Sequence, residues 1–318
     1  MTSHRPLRRI RPCIRAAVAV AVVGVLVACG GATSPTATTT STPAATGTSS
    51  APPPIQAVGP QYDSVHVYVQ PGQFDRFVRS WTATFGGITT AASVTHVTPT
   101  PSTTRSQLIL SPVGALSVFE FLSPIPYPFG AERGGWLMTD LDAGVAHARA
   151  AGAAVLVAPF SDPIGRDAVI QFPGGVNTQL YWHTTAPSYP PLKTVPDNRV
   201  YVSPDAVDAF LRSYRDFTDA VVNADERAAD GAVLGRPGTT FRQIRLSSPF
   251  GNTTVLVTDG QLAYPYGREV AGYAVSDVAA TVDAARAAGA TVLVPVTGTA
   301  PSAMLQFPGG YIAEVHKA

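Results

Sequence analysis

Several side chains that could bind a ligand or take part in catalysis lie in short segments where apolar and polar residues alternate. In SVHVYV the valines occupy every second position, which predicts a half-buried strand with His66 and Tyr68 on its other face. In SVFEFL and NTQLYWH the larger apolar side chains are assigned to one face, which leaves Glu120, Gln179 and Tyr181 on the other. Imidazole, carboxylate and amide groups offer nitrogen and oxygen ligands that suit a divalent ion such as Fe, Mn, Ni or Zn.

These segments belong to a unit that occurs twice in the chain. HVYVQPGQFDRFVRSW recurs as RVYVSPDAVDAFLRSY, YPFG as YPYG, TDLDAGVAHARAAGA as SDVAATVDAARAAGA, and QFPGG as an identical copy. The copies are separated by 133, 137, 137 and 135 residues in that order. A nearly constant offset across four landmarks predicts two tandem domains, over residues 61–183 and 198–318, joined by a Pro-rich linker at 184–197.

Each domain contains a shorter repeated pattern of its own. A strand is followed by a helix, which in the first copy starts at Pro71 and carries apolar residues at helical spacing up to Phe85. Further strands follow, and then a new strand leads to a helix capped by Asp140. The predicted fold is therefore α+β, with two βαβββ modules in each domain and four in all.

This organisation resembles the vicinal oxygen chelate superfamily, which includes glyoxalase I, extradiol dioxygenases, fosfomycin-modifying enzymes and bleomycin-binding proteins. The resemblance rests on the paired modules, on AAGA at the end of a helix, and on the Pro-Gly turn before each last strand. It implies that each domain curls its strands around a cavity and that helices cover the outer face. It covers residues 62–183 and 198–317, and it is specific for the fold rather than for one reaction.

In the first domain the resemblance implies a metal site. His66, Glu120 and Gln179 stand at three positions where the family places metal ligands, and the fourth falls near Arg133 or Gly134, neither of which is a ligand. One divalent ion, Fe, Mn, Ni or Zn, is therefore expected in this domain only. A neutral glutamine in place of a glutamate weakens the set.

Two alternatives exist for the same cavity. If the domain is catalytic, Tyr68 or Tyr181 is the expected hydrogen-bond donor to a substrate chelated by the ion. If it is a metal-free ligand pocket, His66 is a hydrogen-bonded wall residue and Glu120 pairs with an arginine. The sequence leaves this choice open.

The second domain departs further from the family pattern. Arg199 stands where the first domain has its histidine, and a valine stands where it has its glutamate, so Glu314 alone remains. Because a guanidinium cannot bind a metal, we expect an ion pair between Arg199 and Glu314 instead. The alternative is an anion pocket, and thus a substrate-binding site, lined by Arg199, Tyr201 and His316.

The N-terminus resembles the signal of a bacterial lipoprotein. Five arginines precede an apolar run at residues 16–28 that is too short to span a bilayer, and LVAC at 26–29 resembles a lipobox. We therefore predict a signal peptide over 1–28 and an exported, envelope-located protein anchored to the membrane by a lipid on Cys29. Residues 29–60, rich in Ser, Thr, Pro and Ala, are predicted to be a disordered linker.

Composition excludes some classes of partner. Removal of residues 1–28 takes five of the 22 Lys and Arg and none of the 21 Asp and Glu, which leaves a net charge of −4. Such a chain has no basic field for nucleic acid. Cys29 would be the one remaining cysteine, so no internal disulfide is expected.

The sequence thus predicts an envelope lipoprotein that binds a small molecule in a βαβββ cavity. One alternative is a metal-dependent enzyme of lyase, isomerase or dioxygenase type that uses the first domain. The other is a non-catalytic surface or interaction protein.

Overall fold

The computed structural model describes residues 54–298 and 301–318, which belong to one compact unit. The predicted signal peptide, Cys29 and most of the linker lie outside these residues. In the described part of the chain, no helix has the length and apolar character needed to cross a membrane.

The first sheet is built from residues 64–183. In chain order its elements are β1 (Ser64–Tyr68), α1 (Phe74–Phe85), β2 (Ile88–Thr89), β3 (Ser93–Thr95), β4 (Thr104–Ser111), β5 (Gly114–Phe121), β6 (Gly134–Leu137), α2 (Leu141–Ala150), β7 (Ala154–Ser161), β8 (Gly165–Phe172) and β9 (Val176–His183). The strand order is β2-β4-β5-β1-β6-β9-β8-β7, and β3 pairs with β4.

The second sheet repeats this arrangement. Its elements are β10 (Asp197–Val202), α3 (Val207–Thr218), β11 (Val221–Asp230), a 3-10 helix (Gly231–Leu234), β12 (Thr240–Ser248), β13 (Gly251–Val257), β14 (Glu269–Val275), α4 (Val278–Ala287), β15 (Thr291–Thr297), β16 (Ser302–Gln306) and β17 (Ile312–Lys317). The strand order is β11-β12-β13-β10-β14-β17-β16-β15.

The predicted α+β fold of paired βαβββ modules is confirmed. In each sheet the first strand of one module runs antiparallel to the first strand of the next, β1 beside β6 and β10 beside β14. Asp140 caps α2 through a hydrogen bond from the Ala143 N–H, 3.0 Å long, whereas α1 begins at Phe74 rather than at Pro71. Strands β2 and β3, two and three residues long, form where the sequence showed no clear strand pattern.

The helices do more than cover outer faces, which corrects the expectation drawn from the family. Helix α1 packs against α4, and α2 packs against α3, so each helix also contacts the other domain. The first module shares a hydrophobic core with the fourth, and the second shares one with the third. The first core includes Val67, Phe77, Trp81, Leu116, Tyr273, Val282, Leu305 and Phe307.

The repeated QFPGG segments are turns that join the two domains reciprocally. Gly174 adopts a φ of 88°, and a Cβ there would lie 3.0 Å from Cγ1 of Val202 in the second domain. Gly309 adopts the same φ of 88°, and a Cβ there would lie 2.9 Å from Cβ of Val69 in the first domain. Both the left-handed backbone and the close approach require glycine.

A buried carboxyl lies where the two sheets meet. Glu269 at the start of β14 is 4% exposed, and a Cβ on Gly134 of the first sheet would lie 2.9 Å from its Oε1. The backbone N–H of Arg133 donates a hydrogen bond to this carboxyl. Burial raises the pKa of Glu269 to about 8, although the charge of Arg133 acts in the opposite direction.

This pKa predicts a specific pH dependence of stability. Between pH 5 and pH 7 the folded state keeps a proton on Glu269 that the unfolded chain has lost, so the free energy of unfolding falls as the pH rises. With about 1.4 kcal/mol per pKa unit, the fall is on the order of 2 kcal/mol. Glu269→Gln, an uncharged replacement of similar shape, should remove this fall in urea unfolding curves. Glu226→Gln on the exposed part of β11 is the control. An unchanged pH slope in Glu269→Gln would contradict the assignment.

Candidate functional site

The concave face of the first sheet encloses a cavity of about 420 Å³. Its size falls within the usual range for sites that bind small molecules. Both modules contribute to it, since strands β1, β3, β4, β5, β8 and β9 all supply side chains. The residues that form the walls and the floor are Ser64, His66, Tyr68, Ser117, Phe119, Phe129, Asp167, Gln179, Tyr181 and His183. Those nearer the segments that connect strands include Ala91, Ser93, Val97, Asp162, Ile164 and Tyr189.

Strand alternation places four predicted site residues in this cavity. His66 and Tyr68 on β1, and Gln179 and Tyr181 on β9, all line it. The valines of β1 lie on the opposite face, in the core shared with the second domain. The face assignment of these two strands therefore agrees with the structure.

The predicted orientation of Glu120 is wrong. On β5 it is Phe119 that faces the cavity, while Glu120 lies on the other face of the sheet. There its Oε1 accepts a hydrogen bond from the N–H of Gly72, and its Oε2 lies 4.0 Å from Nη1 of Arg105. The error has a physical cause: the cavity wall is itself apolar, and Phe121 packs there with Phe129, so large apolar residues did not mark the core side.

The residues present therefore do not fit the expected metal site. Without Glu120, the His66 imidazole and the Gln179 amide remain from the predicted set, and Gln179 hydrogen-bonds to Asp167. The first strand of the second module offers Gly135 here, where an added Cβ would lie 2.5 Å from His66 Nε2. Among the described residues, no group of three or more His, Cys, Asp or Glu side chains is arranged to hold a metal ion.

This geometry predicts the response to added metal. Mn(II), Fe(II), Ni(II) or Zn(II) should change the melting temperature of the wild type and of His66→Ala to the same extent, because two weak donors do not form a selective site. Thermal unfolding with and without each ion measures the effect. If one of these ions raises the melting temperature of the wild type and His66→Ala abolishes this increase, the hypothesis of a metal site would be supported again.

The hydroxyl groups of both predicted tyrosine donors are already engaged. Tyr68 Oη donates to Oε1 of Glu132, and Tyr181 Oη donates to the carbonyl oxygen of Tyr62 at 2.6 Å. Burial raises the pKa of both phenols, and for Tyr68 the charge of Glu132 adds to the effect. Each phenol has one proton to donate. The predicted role of Tyr68 or Tyr181 as a donor to substrate is therefore not supported, although both oxygens can still accept.

Two acidic residues of this region were missed as site residues. Asp167 on β8 is 6% exposed and lines the cavity. The signal was present, because Ala168 and Ile170 belong to the apolar core face and alternation places Asp167 opposite to them. Burial raises the pKa of Asp167 well above its usual value, and the charge of Asp162 adds to this.

Glu132, the second missed residue, is fully buried in the segment before β6. Its Oε1 lies 3.6 Å from Nδ1 of His66 and accepts the hydrogen bond from Tyr68. Within the described residues, His66 Nδ1 and Glu132 Oε2 have no hydrogen-bond partner. Because Glu132 follows no periodic pattern, sequence alternation could not have found it.

The concave face of the second sheet is filled by the domain's own side chains. Tyr201 is 4% exposed and stacks on Tyr266, with ring centroids 5.6 Å apart. The 3-10 helix contributes Leu234 to the same cluster, which also contains Leu256, Val270, Val294 and Met304. Tyr201 is thus a packed core residue, and its predicted role in substrate binding is not supported.

Arg199 lies at the edge of this cluster among acidic residues. Its Nε donates to Oε2 of Glu314 at 2.7 Å, so the expected partners are in direct contact. Its Nη1 lies 3.2 Å from Oδ2 of Asp197 without hydrogen-bond geometry, which makes that contact electrostatic. Its Nη2 donates to Nδ1 of His316 at 3.1 Å. Two carboxylates already neutralise the guanidinium, so this arrangement does not form the predicted anion pocket.

The position of Arg199 in the sheet explains how its large side chain is accommodated in the interior of the second domain. It occupies the β10 position that corresponds to His66 on β1, and its side chain passes over Gly272 of β14, where a Cβ would collide with the guanidinium. Burial alone would lower the pKa of Arg199, but the charges of Glu314 and Asp197 outweigh it, and the pKa is raised. Burial and the charge of Arg199 both lower the pKa of His316.

Comparisons with known proteins identify the fold. No protein-family model matches the sequence, and no curated protein matches it. The structure is similar to a mutant of 4-hydroxymandelate synthase from Streptomyces coelicolor, with 15% identity, a TM-score of 0.56, and coverage of 84% of this chain and 93% of that one. It is also similar to 2,2',3-trihydroxybiphenyl 1,2-dioxygenase from Sphingomonas wittichii, with 12% identity, a TM-score of 0.52, and coverage of 83% and 91%.

A third similar structure is the Mn(II)-bound glyoxalase from Novosphingobium aromaticivorans. It shares 13% identity with this chain at a TM-score of 0.50, with coverage of 82% of each chain. At identities this low, the structural similarity establishes the fold and not the reaction. The chain has the fold of two tandem domains of the glyoxalase, or vicinal oxygen chelate, type.

Proposed function

We propose that this protein is an envelope lipoprotein that binds a small molecule in the cavity of its first domain. The observation that supports the proposal is the contrast between the two concave faces. The first sheet keeps a cavity of about 420 Å³, whereas side chains fill the corresponding region of the second. Close packing is the normal state of a protein interior. An open volume walled by aromatic and polar groups is therefore best explained by a ligand.

A fluorescent probe can test this proposal. N-phenyl-naphthylamine, which brightens in apolar surroundings, should bind the mature chain, residues 29–318 with Cys29→Ser, at one saturable site. Ser117→Phe should abolish the signal, because Ser117 lines the cavity and a benzyl group would occupy its volume. Thr291→Phe, at an exposed position of β15, is the matched control and should bind as the wild type does. Equal binding by Ser117→Phe would contradict the proposal and favour a surface or interaction protein.

The metal-dependent enzyme is the less supported alternative. Mn(II) is bound in one of the similar structures. In this chain, however, the carboxylate expected to complete the set lies on the other face of the sheet. The chemistry that the described residues support is recognition through hydrogen bonds and apolar contact.

Membrane anchoring is part of the proposal and rests on the N-terminal sequence. Lipidation of Cys29 would hold the cavity at the envelope surface. Cys29→Ser should leave the full-length precursor without a lipid and without cleavage before residue 29. Mass spectrometry of the N-terminal peptide measures this in the wild type and in the variant. A wild-type peptide that is unmodified and cleaved at another position would contradict lipidation of Cys29.

A further inference from the structure

The charged groups of the cavity are unevenly distributed. Asp162 and Asp167 line it, and among the described residues that line it there is no lysine or arginine. Burial lowers the pKa of His183, so this histidine adds no positive charge at neutral pH. The guanidinium of Arg133 lies 5.6 Å from the ring centroid of Tyr68, but Arg133 does not line the cavity.

Asp167 is placed to contact a ligand deep inside. It is 6% exposed, and the Gln179 amide donates a hydrogen bond to its carboxyl. Asp162 lies closer to the surface, where its Oδ1 accepts a hydrogen bond of 3.2 Å from the N–H of Ile164. The cavity therefore presents one carboxyl group in its buried part and a second one nearer the surface.

Aromatic rings form much of the remaining wall. Tyr68 and Phe119 stack with centroids 5.4 Å apart, and Phe129, Tyr181 and Tyr189 add further rings to the lining. The faces of such rings attract cations through their quadrupole and also pack against flat apolar groups. Carboxyl groups beside aromatic faces are the combination that recognises an ammonium group.

We propose that the ligand of this cavity is an aromatic or otherwise apolar molecule that carries a positively charged amine, with the amine held by Asp167. This inference rests on the proposed function, since it specifies the ligand of the same site. An anionic ligand would be repelled by the carboxylate of Asp162 and would find no lysine or arginine among the described residues that line the cavity. A neutral ligand would gain the apolar contacts alone.

A bound amine should also displace a proton. The groups around Asp167 are Asp162, Glu132, Gln179 and Tyr181, together with the uncharged Phe160 opposite it on β7. Burial and the charges of Asp162 and Glu132 raise the pKa of the Asp167 carboxyl well above its usual value, although the hydrogen bond from Gln179 acts in the opposite direction. An ammonium group stabilises the ionised form and lowers this pKa, so ammonium binding is linked to loss of the Asp167 proton.

Three probes with one ring system and different charges test the inference. Naphthylmethylammonium, naphthylmethanol and naphthoate are titrated into the mature chain by calorimetry, in two buffers that differ in ionisation enthalpy. The ammonium compound should bind about tenfold more tightly than the alcohol, because a hydrogen bond to a charged group is the stronger kind. The carboxylate should bind most weakly. Measured over a range of pH, the heat of ammonium binding should depend on the buffer wherever Asp167 is protonated in the free protein.

Variants assign the effect to the cavity. Asp167→Asn should weaken ammonium binding about tenfold and leave alcohol binding unchanged. Asp162→Asn should weaken it less, and Asp142→Asn, on the exposed start of α2, is the control. If none of the three probes binds the wild type, the proposed function and this inference both fail. If naphthoate binds as tightly as the amine, or Asp167→Asn keeps the preference, the inference fails while cavity binding stands.

Discussion

Replacing Arg199 by methionine is expected to lower the free energy of unfolding by about 3–5 kcal/mol, because it leaves two carboxylates without their counter-ion. The Arg199 side chain is 9% exposed and contacts Glu314 at 2.7 Å and Asp197 at 3.2 Å. Those two acidic side chains are 20% and 22% exposed. Methionine keeps an unbranched side chain beside Gly272 but is shorter than arginine and supplies no charge. Urea unfolding of the wild type and the variant measures the loss.

The loss should depend on pH in a defined direction. In the wild type, burial and the charge of Arg199 lower the pKa of His316, while Glu314 and Asp197 raise it. Without the guanidinium, the two carboxylates raise the pKa of His316 above its wild-type value. A histidine protonated in the folded state contributes stability below its folded pKa, and this contribution disappears as the pH rises. Arg199→Met should therefore be less destabilising at mildly acidic than at mildly alkaline pH.

A double-mutant cycle measures the coupling between Arg199 and Glu314 separately from any nonspecific loss of stability. Glu314→Gln alone should also destabilise, and the double variant Arg199→Met with Glu314→Gln should recover part of the combined loss. Arg166→Met removes an arginine from an exposed two-contact pair with Asp142 and should change stability little. Neutral single variants, or losses that add within about 0.5 kcal/mol, would show that Arg199 and Glu314 are not energetically coupled.

The sequence was sufficient for the fold because local patterns agreed with one another. The duplicated landmarks, the alternating strands and the Asp140 helix cap all pointed to βαβββ modules, and each sheet is built from two of them. His66 and Gln179 were placed on the correct face for the same reason, since their strands have one apolar core face and one mixed face.

The same rule failed where both faces of a strand are apolar. On β5, Leu116 and Val118 face the shared core, while Phe119 lines the cavity and Phe121 packs with Phe129 on the same side of the sheet, so hydrophobicity could not identify the polar side. The assignment of Glu120 was decided by residue size, and size does not distinguish a core from a ligand cavity.

The packing of the helices against the other domain also could not be predicted from the sequence. Helix α1 has a polar face with Asp75, Arg76 and Arg79 and one apolar face, a pattern that fits any helix lying on a sheet. Nothing in that pattern shows that the apolar face meets a second domain as well as its own sheet. Nor does a pattern within one segment predict that Glu132 would lie beside His66, because that contact joins separate segments.

In the shared core, Trp81 contacts both domains, so we expect it to contribute to the stability of both. It is fully buried on α1, with ring centroids 4.4 Å from Phe85 of its own helix and 4.9 Å and 5.0 Å from Tyr273 and Phe307 of the second domain. Trp81→Ala should lower the free energy of unfolding by about 3–5 kcal/mol, as large-to-small changes of buried aromatic residues do. Urea unfolding measures the loss, with Trp182→Ala, half-buried on β9, as the smaller-effect control.

The cost should come from lost packing rather than from a lost hydrogen bond. Among the described residues, the buried Trp81 Nε1 has no hydrogen-bond partner. Trp81→Phe keeps an aromatic ring and removes an unsatisfied N–H, so it should be clearly less destabilising than Trp81→Ala. Equal losses for the two variants would contradict this explanation.

Hydrogen exchange shows whether the core couples the domains. If Trp81 stabilises both, Trp81→Ala should reduce the protection of amides in β14 and β17 by the same free energy as those in β1 and β5, because one cooperative unit opens as a whole. The reciprocal contacts of the QFPGG turns act in the same direction, since each turn packs against the other domain. Reduced protection confined to residues 61–183 would instead show that two domains with a common apolar surface still unfold separately.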